Sequence, residues 1–248
     1  MRISVCMATY NGALFVAEQI SSILCQLNYD DELIIVDDCS TDNTLEIINE
    51  LNDVRVKLLC NKSNIGVNHS FSRAIMASSG DYVFLTDQDD VWLKGRVELM
   101  LNNLINSNVC LLTSNFSWID EFGESTFVKF DGVSSTNSKN YFKNVFDIFT
   151  GKTNYFGCAM VFSKSLVNYI VPIPSFVESH DLWIAKIGNL IFSQMHLDDT
   201  TFLKRIHDNN TTSTVSKRNF LFKLFSRFIF IISIFVIYYR LLINDKNR

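Results

Sequence analysis

The sequence predicts an α/β fold: a mostly parallel sheet with helices on both faces, followed by a hydrophobic, basic helical tail. Three observations carry that prediction. Through residues 1–116, short β-rich runs alternate with segments of helical period, the βα repetition that builds a parallel sheet. Apolar residues make up 48% of the chain and charged ones 19%, a composition that fills a globular core. Near the C-terminus, residues 228–239 read FIFIISIFVIYY between Arg227 and Arg240.

The elements follow in order. Residues 3–8, 33–37, 54–60, 82–87 and 109–116 have strand length and strand composition, while 14–25, 44–51, 70–78 and 96–106 repeat their apolar residues at helical spacing. Asp42, Asn43 and Thr44 supply a cap for the second helix, with Glu46 in its first turn, and Asn68 starts the third after a turn at Gly66. Beyond Trp118 the pattern weakens through a Ser/Asn-rich stretch, 134–140, read as a loop over the sheet edge. A strand at 158–163, a helix at 181–191 and a strand at 201–206 complete the body. The 248 residues divide into one domain, 1–215, with halves at 1–116 and 117–215, and a tail at 216–248.

Charge is unevenly placed. After residue 216 seven basic residues face only Asp245, a net +6, so the chain's net −4 leaves −10 on the body. So acidic a body excludes nucleic acid as a partner. The six cysteines form no C-x-x-C pair, which suits a reducing compartment, and the N-terminus enters a strand with no signal-peptide pattern, so a cytoplasmic location is expected. As a helix, the twelve-residue apolar run spans about 18 Å, short of the roughly 30 Å of a bilayer core. Two placements stay open for it: burial against the domain or a partner, or an interfacial helix drawn to anionic lipid on the inner face of the cytoplasmic membrane.

Ligands of open α/β sheets bind outside the carboxyl ends of the strands. Three loops stand there: Thr9-Tyr10-Asn11-Gly12 after the first strand, Asp37-Asp38-Cys39-Ser40-Thr41-Asp42 after the second, and Asp87-Gln88-Asp89-Asp90-Val91-Trp92 after the fourth. Asp and Asn favour turns and caps anywhere, but five aspartates converging on one edge repel one another unless cations or hydrogen-bond donors compensate them. A metal is the economical expectation. The Asp87-x-Asp89 spacing aims two carboxylates at one site, and Mg²⁺ or Mn²⁺ takes carboxylate and phosphate oxygens. No P-loop and no G-x-G occurs among the nine glycines, so glycine-rich phosphate cradles are excluded.

These residues resemble a known family. ISVCMATYNG, IIVDDCSTDNT, NIG followed by GDYVFLTDQDDVW, then HDLW and R-x-H-x-x-N, in this order over about residues 1–212, resemble the family 2 glycosyltransferases of GT-A fold, in their rhamnosyltransferase-like branch. The resemblance implies an inverting enzyme that moves a sugar, with rhamnose favoured, from a dTDP- or UDP-sugar to a glycan or lipid-linked acceptor in bacterial surface polysaccharide synthesis. Thr9, Tyr10 and Asn11 would frame the nucleobase, Asp38 would hydrogen-bond it, and Asp87 would reach the ribose or a metal-bound water. Asp89 would ligate Mn²⁺ or Mg²⁺, and His207 would meet that metal or the diphosphate. Asp181 would be the catalytic base. The family commonly has Glu where this chain has His180, which fits the branch and leaves the acceptor open.

Each assignment has a plainer competitor. Asp181 can simply cap the helix after it, and His207 can be an ordinary hydrogen-bonded residue. Trp183 and Trp92 can stack on a sugar or belong to the core, and Arg73 can reach a phosphate or face solvent. Three other readings compete with the whole: a non-catalytic nucleotide-sugar-binding scaffold, a dinucleotide oxidoreductase and a nucleotidyltransferase. The intact Asp89, Asp181 and His207 weigh against the first, the absent G-x-G-x-x-G against the second, and the lack of a Gly/Arg/Lys-rich loop after the first strand against the third.

Overall fold

A computed structural model describes residues 1–128, 132–153, 155–207 and 220–246. The first half runs β1 (Ile3–Thr9), α1 (Val16–Leu24), β2 (Glu32–Asp37), α2 (Thr44–Glu50), β3 (Val56–Cys60), α3 (Val67–Ala77), β4 (Tyr82–Thr86), β5 (Val91–Trp92) and α4 (Arg96–Asn106). The second adds β6 (Leu111–Ile119), β7 (Ser125–Thr126), α5 (Tyr141–Thr150), β8 (Met160–Ser163), α6 (Val167–Ile170), α7 (His180–Leu190), β9 (Gln194–Arg205) and α8 (Phe220–Lys246).

The strands form one sheet in the order β3-β2-β1-β4-β8-β6-β9-β5, with β7 on β6. The β3-β2-β1-β4 segment is parallel throughout, as the alternation requires. Beyond β4 the sheet is mixed: β8 runs antiparallel to both β4 and β6, β9 is parallel to β6, and β5 is antiparallel to β9. Parallel strands carry helices on both faces and so read as continuous apolar runs. Every residue of β2, Glu32–Asp37, is buried.

Because successive side chains of a strand point to opposite faces, each strand feeds two cores. Cys6, Ile34 and Val83 join a core with α3, α7 and α8. Val5, Ile35 and Phe84 join the other, with α1 and α4. The Ser/Asn stretch holds a single 3-10 turn, Ser135–Asn137, tied to the sheet by the Ser135 amide to Asp198 and by paired Asn115–Val133 bonds.

Helix α8 extends well past the apolar run expected from sequence. Its stretch Phe222–Asn244 is long and apolar enough to cross a bilayer, by length and composition. One face is nevertheless fixed to the body. Ser233 and Ile237 are buried, Lys186 of α7 donates to Ser233 Oγ, and Arg240 donates to the carbonyls of Tyr169, Ile170 and Pro172. The opposite face, with Leu224, Phe228, Phe235 and Tyr239, is exposed. Of the two placements expected for the tail, burial against the domain is met by one face of α8. Lys217, Arg218 and Arg248 lie outside the described residues.

Candidate active site

The carboxyl ends of β1, β2 and β4 form one continuous rim. Leaving β1 and β2, the chain takes left-handed backbone at Asn11 (φ 48°) and Cys39 (φ 67°), conformations that non-glycine residues adopt at a cost and that gather at binding sites. The Asn11 amide donates to Ser40 Oγ (2.9 Å), and Asn11 Oδ1 accepts from the Thr41 amide (2.8 Å), so the two loops are sewn together. The Tyr10 amide donates to Gln88 Oε1 (2.9 Å) while Gln88 Nε2 donates to the Tyr10 carbonyl (3.1 Å). A Cβ on Gly12 would lie 2.3 Å from that Oε1, so only glycine admits this clasp.

Tyr10 and Asn11 are exposed on the rim. Thr9 is not: it is buried and donates to Asp37 (3.1 Å), so it supports the rim from below and does not frame a ligand. Asp38 is nearly buried and accepts from Asn61 Nδ2 (2.7 Å) and the Ile65 amide (2.9 Å) on Oδ1, and from the Gly66 amide (2.7 Å) on Oδ2. That leaves one acceptor position on Oδ2. Arg73 Nη1 donates to the Cys60 carbonyl and Asn61 Oδ1 and so braces the Asp38 loop.

The Asp87-Gln88-Asp89-Asp90 loop meets the end of β9. Lys204 Nζ lies 2.9 Å from Asp87 Oδ2, 3.7 Å from Asp90 Oδ1 and 3.5 Å from Cys158 Sγ. Burial alone would lower Lys204, but Asp87 and Asp90 outweigh it and hold the ammonium well above lysine's usual range. Burial would likewise raise Asp87, yet Lys204 keeps it below the usual carboxylate range. Asp90 is different: burial, against Lys204's opposition, pushes it up to about 7. Arg205 anchors the same strand end, donating to the Asp89 carbonyl (3.0 Å) and to Glu18 (2.6 Å).

These contacts correct the electrostatic argument made from sequence. Asp37 is compensated by Thr9 and Ser40, Asp38 by backbone amides, and Asp87 and Asp90 by Lys204, so the count of carboxylates does not itself demand a metal. A lysine within a strand reads as a solvated edge residue; only the pairing of β6 with β9 turns it inward.

At the start of α7, Ser179 caps the helix by accepting from the Leu182 amide, so Asp181 is not the cap. Asp181 Oδ2 accepts a long bond from the Gly157 amide (3.4 Å), and the buried Oδ1 has no hydrogen bond among the described residues. His180 stacks on Phe71 (ring centroids 4.1 Å apart), its Nδ1 is 3.8 Å from Asp181 Oδ1, and both its ring nitrogens are buried without partners. A Cβ on Gly157 would lie 2.4 Å from His180 Nε2. Asn68 does not start α3; it reaches across to accept from the His180 amide (2.8 Å) and ties α3 to α7. Trp183 is wholly buried and donates its indole N–H to the Ile170 carbonyl (2.9 Å), which removes it from any acceptor surface. Trp92 is core as well.

The model of glycosyl transferase family 2 matches residues 4–170, well over half of the 248. The chain belongs to that family. Among glycosyltransferase relatives, the dTDP-rhamnosyl transferase RfbG of Shigella flexneri is 28% identical over 220 residues, 82% of this chain and 72% of that protein. The UDP-Glc:alpha-D-GlcNAc-diphosphoundecaprenol beta-1,3-glucosyltransferase WfgD of Escherichia coli is 30% identical over 118 residues, 48% of this chain and 47% of its own length. Among solved structures, S. aureus TarS 1-349 with UDP superposes with a TM-score of 0.66 at 19% identity, covering 83% of this chain and 61% of that one. The mannosyltransferase PcManGT of Pyrobaculum calidifontis, in complex with GDP-Man and Mn²⁺, gives 0.60 at 17% identity, covering 84% and 58%. The chain thus spans about half of the E. coli glycosyltransferase and about three fifths of the TarS chain. These likenesses carry the mixed α/β fold of family 2 enzymes.

The Pyrobaculum calidifontis structure contains Mn²⁺, and one pair of residues here offers donor atoms for a cation. Asp89 Oδ2 and His207 Nε2 are hydrogen-bonded at 2.8 Å, which sets a carboxylate oxygen, the donor type that Mn²⁺ and Mg²⁺ take, beside an imidazole nitrogen. Asp87, Asp90 and Cys158 also cluster, with ligand atoms within 4.8 Å. That second cluster does not fit a metal, because Lys204 already stands among its ligands and burial keeps the Cys158 thiol well above its usual range. Residues 208–210, the rest of the R-x-H-x-x-N motif, lie outside the described residues.

Proposed function

We propose that the chain is an inverting glycosyltransferase, moving a sugar from a dTDP- or UDP-sugar to a glycan or lipid-linked acceptor in bacterial surface polysaccharide synthesis. The observation that carries this is the buried Oδ1 of Asp181, at the start of α7, which has no hydrogen bond among the described residues. Tyr10 and Asn11 frame the nucleobase, Asp38 offers its remaining Oδ2 position to it, and Asp87, fixed by Lys204, meets the ribose. The Asp89–His207 pair would hold Mn²⁺ or Mg²⁺, and the bound cation would supply neutralisation of charge on the departing nucleoside diphosphate.

Asp181 takes the proton from the acceptor hydroxyl, whose oxygen bonds the anomeric carbon as the bond from that carbon to the diphosphate breaks on the opposite face. His180, packed between Phe71 and Gly157, positions that carboxylate and borders the acceptor. The dTDP-rhamnosyl transferase relative favours rhamnose, and the diphosphoundecaprenol substrate of the E. coli relative favours a lipid-linked acceptor. A lipid-linked acceptor accords with α8 lying on the inner face of the cytoplasmic membrane. Calorimetry with donor and Mn²⁺, beside a transfer assay over a panel of dTDP-, UDP- and GDP-sugars, tests the assignment. Asp181→Asn should bind donor and not transfer it, Asp89→Ala should lose metal-dependent donor binding, and full turnover by Asp181→Asn would remove Asp181 from the mechanism.

A further inference from the structure

The exposed aromatic surface of this molecule does not end with the C-terminal helix. On α5, Phe142 is 74% and Phe146 58% exposed, a stripe at i and i+4. Phe142 meets the exposed Phe192 (5.5 Å between ring centroids), and Phe146 meets Phe149 (6.4 Å). Phe149 in turn abuts Phe230 of α8 (5.3 Å) and lies under the Arg227 guanidinium (5.1 Å). Exposed aromatics therefore run from the loop after α7 along α5, and the half-buried Phe149 and buried Phe230 join α5 to α8. Contiguous apolar surface of this kind marks a contact site.

We propose that α5 and α8 together form one docking face for an anionic bilayer, with Phe142 and Phe146 as a second anchor beside the tail. This deepens the lipid-linked acceptor reading and rests on it. Charge selects the occupant. From Phe220 to Asn244, α8 has no acidic residue and carries Lys223 and Arg227, with Arg240 turned to the body, while the one acid of α5, Asp147, is paired with Lys143. The chain up to residue 216 is −10, whereas Lys223 and Arg227 stand among the exposed Phe222, Leu224 and Phe228, the arrangement of interfacial helices on anionic lipid. A second copy of the chain fits less well, because a two-fold pairing of this face sets basic rows against basic rows. Lys186 and Arg240 fasten α8 to α7 and to the segment after α6, so docking would hold the helix bearing Asp181 at a fixed orientation to the lipid surface.

The test is flotation of the full chain with vesicles of phosphatidylcholine alone or with phosphatidylglycerol, for wild type, Phe142→Ser/Phe146→Ser and Phe142→Trp/Phe146→Trp. Wild type should float with the anionic vesicles only, the serine pair should partition about tenfold less, and the tryptophan pair should match or exceed wild type. Unchanged flotation of the serine pair would overturn the α5 anchor. Dimerisation in sedimentation velocity that the serine pair abolishes would reassign the face to a second copy. Donor hydrolysis with Mn²⁺, run on the same samples, separates the readings: hydrolysis without flotation defeats docking alone, and flotation without hydrolysis defeats the enzyme assignment.

Discussion

Replacing Lys204 by methionine tests how the rim is held. The change keeps an unbranched stem of similar length and deletes the ammonium 2.9 Å from Asp87 and 3.7 Å from Asp90. Asp90 would keep the Arg205 amide at 3.3 Å on Oδ1, with Oδ2 already unpartnered among the described residues. Breaking a buried pair from one side costs about 3–5 kcal/mol. The Asp87 side chain is 33% exposed, so water relieves part of its share and the lower end applies, about 3 kcal/mol. Urea unfolding at pH 8 should show this as a lower midpoint at unchanged m, and melting should fall by about 6–12 °C. Since Asp90 is pushed up to about 7, the loss should shrink toward pH 6, where a neutral Asp90 needs no cation. A double variant with Asp90→Asn should recover part of the loss, measured as a coupling energy. A loss under about 1 kcal/mol, against the several expected for a broken buried pair, or one that grows toward pH 6, would refute the account.

Trp183→Ala should cost about 3–5 kcal/mol in urea unfolding, and KM for the acceptor in the surviving folded enzyme should stay near wild type; a selective rise in KM would return Trp183 to the acceptor site. Glu32 is buried, which alone would raise it, but bonds from Lys57, Ser4 and Ser79 bring it from 4.5 down to about 2. Its contribution is therefore complete above pH 4.5 and lost as pH falls toward 2, about 3 kcal/mol in all. Glu32→Gln should flatten the stability curve over that window, and an unchanged slope would count against the assignment.

The parallel half was legible because its signals are local: strand-length apolar runs and helical spacing need no knowledge of distant residues. The antiparallel run of β8 between β4 and β6 was not, since direction depends on partners far along the chain. Helix α5 escaped because Phe142 and Phe146 sit on its exposed face, where aromatics blur the core stripe. The start of β9 was hidden by Asp198, Asp199 and Thr200, exposed residues at an irregularity in its pairing with β6. At the site, the aspartate loops announced themselves, and Asp181 stood out from a motif. Lys204 and Ser179 did not, because a strand lysine and a helix-preceding serine look the same whether they serve a rim, a cap or solvent.

The clasp between Tyr10 and Gln88 has a consequence for heredity. The side chain at 88 fills the space a methyl at 12 would need, so the two positions should be epistatic across the family. A loop transplanted from a relative with alanine at the position of Gly12 would be tolerated only with a shorter residue at 88. In a pairwise mutational scan Gly12→Ala should be rescued by Gln88→Ser and by few single changes elsewhere, which makes this pair a seam along which chimeric transferases ought not to be cut.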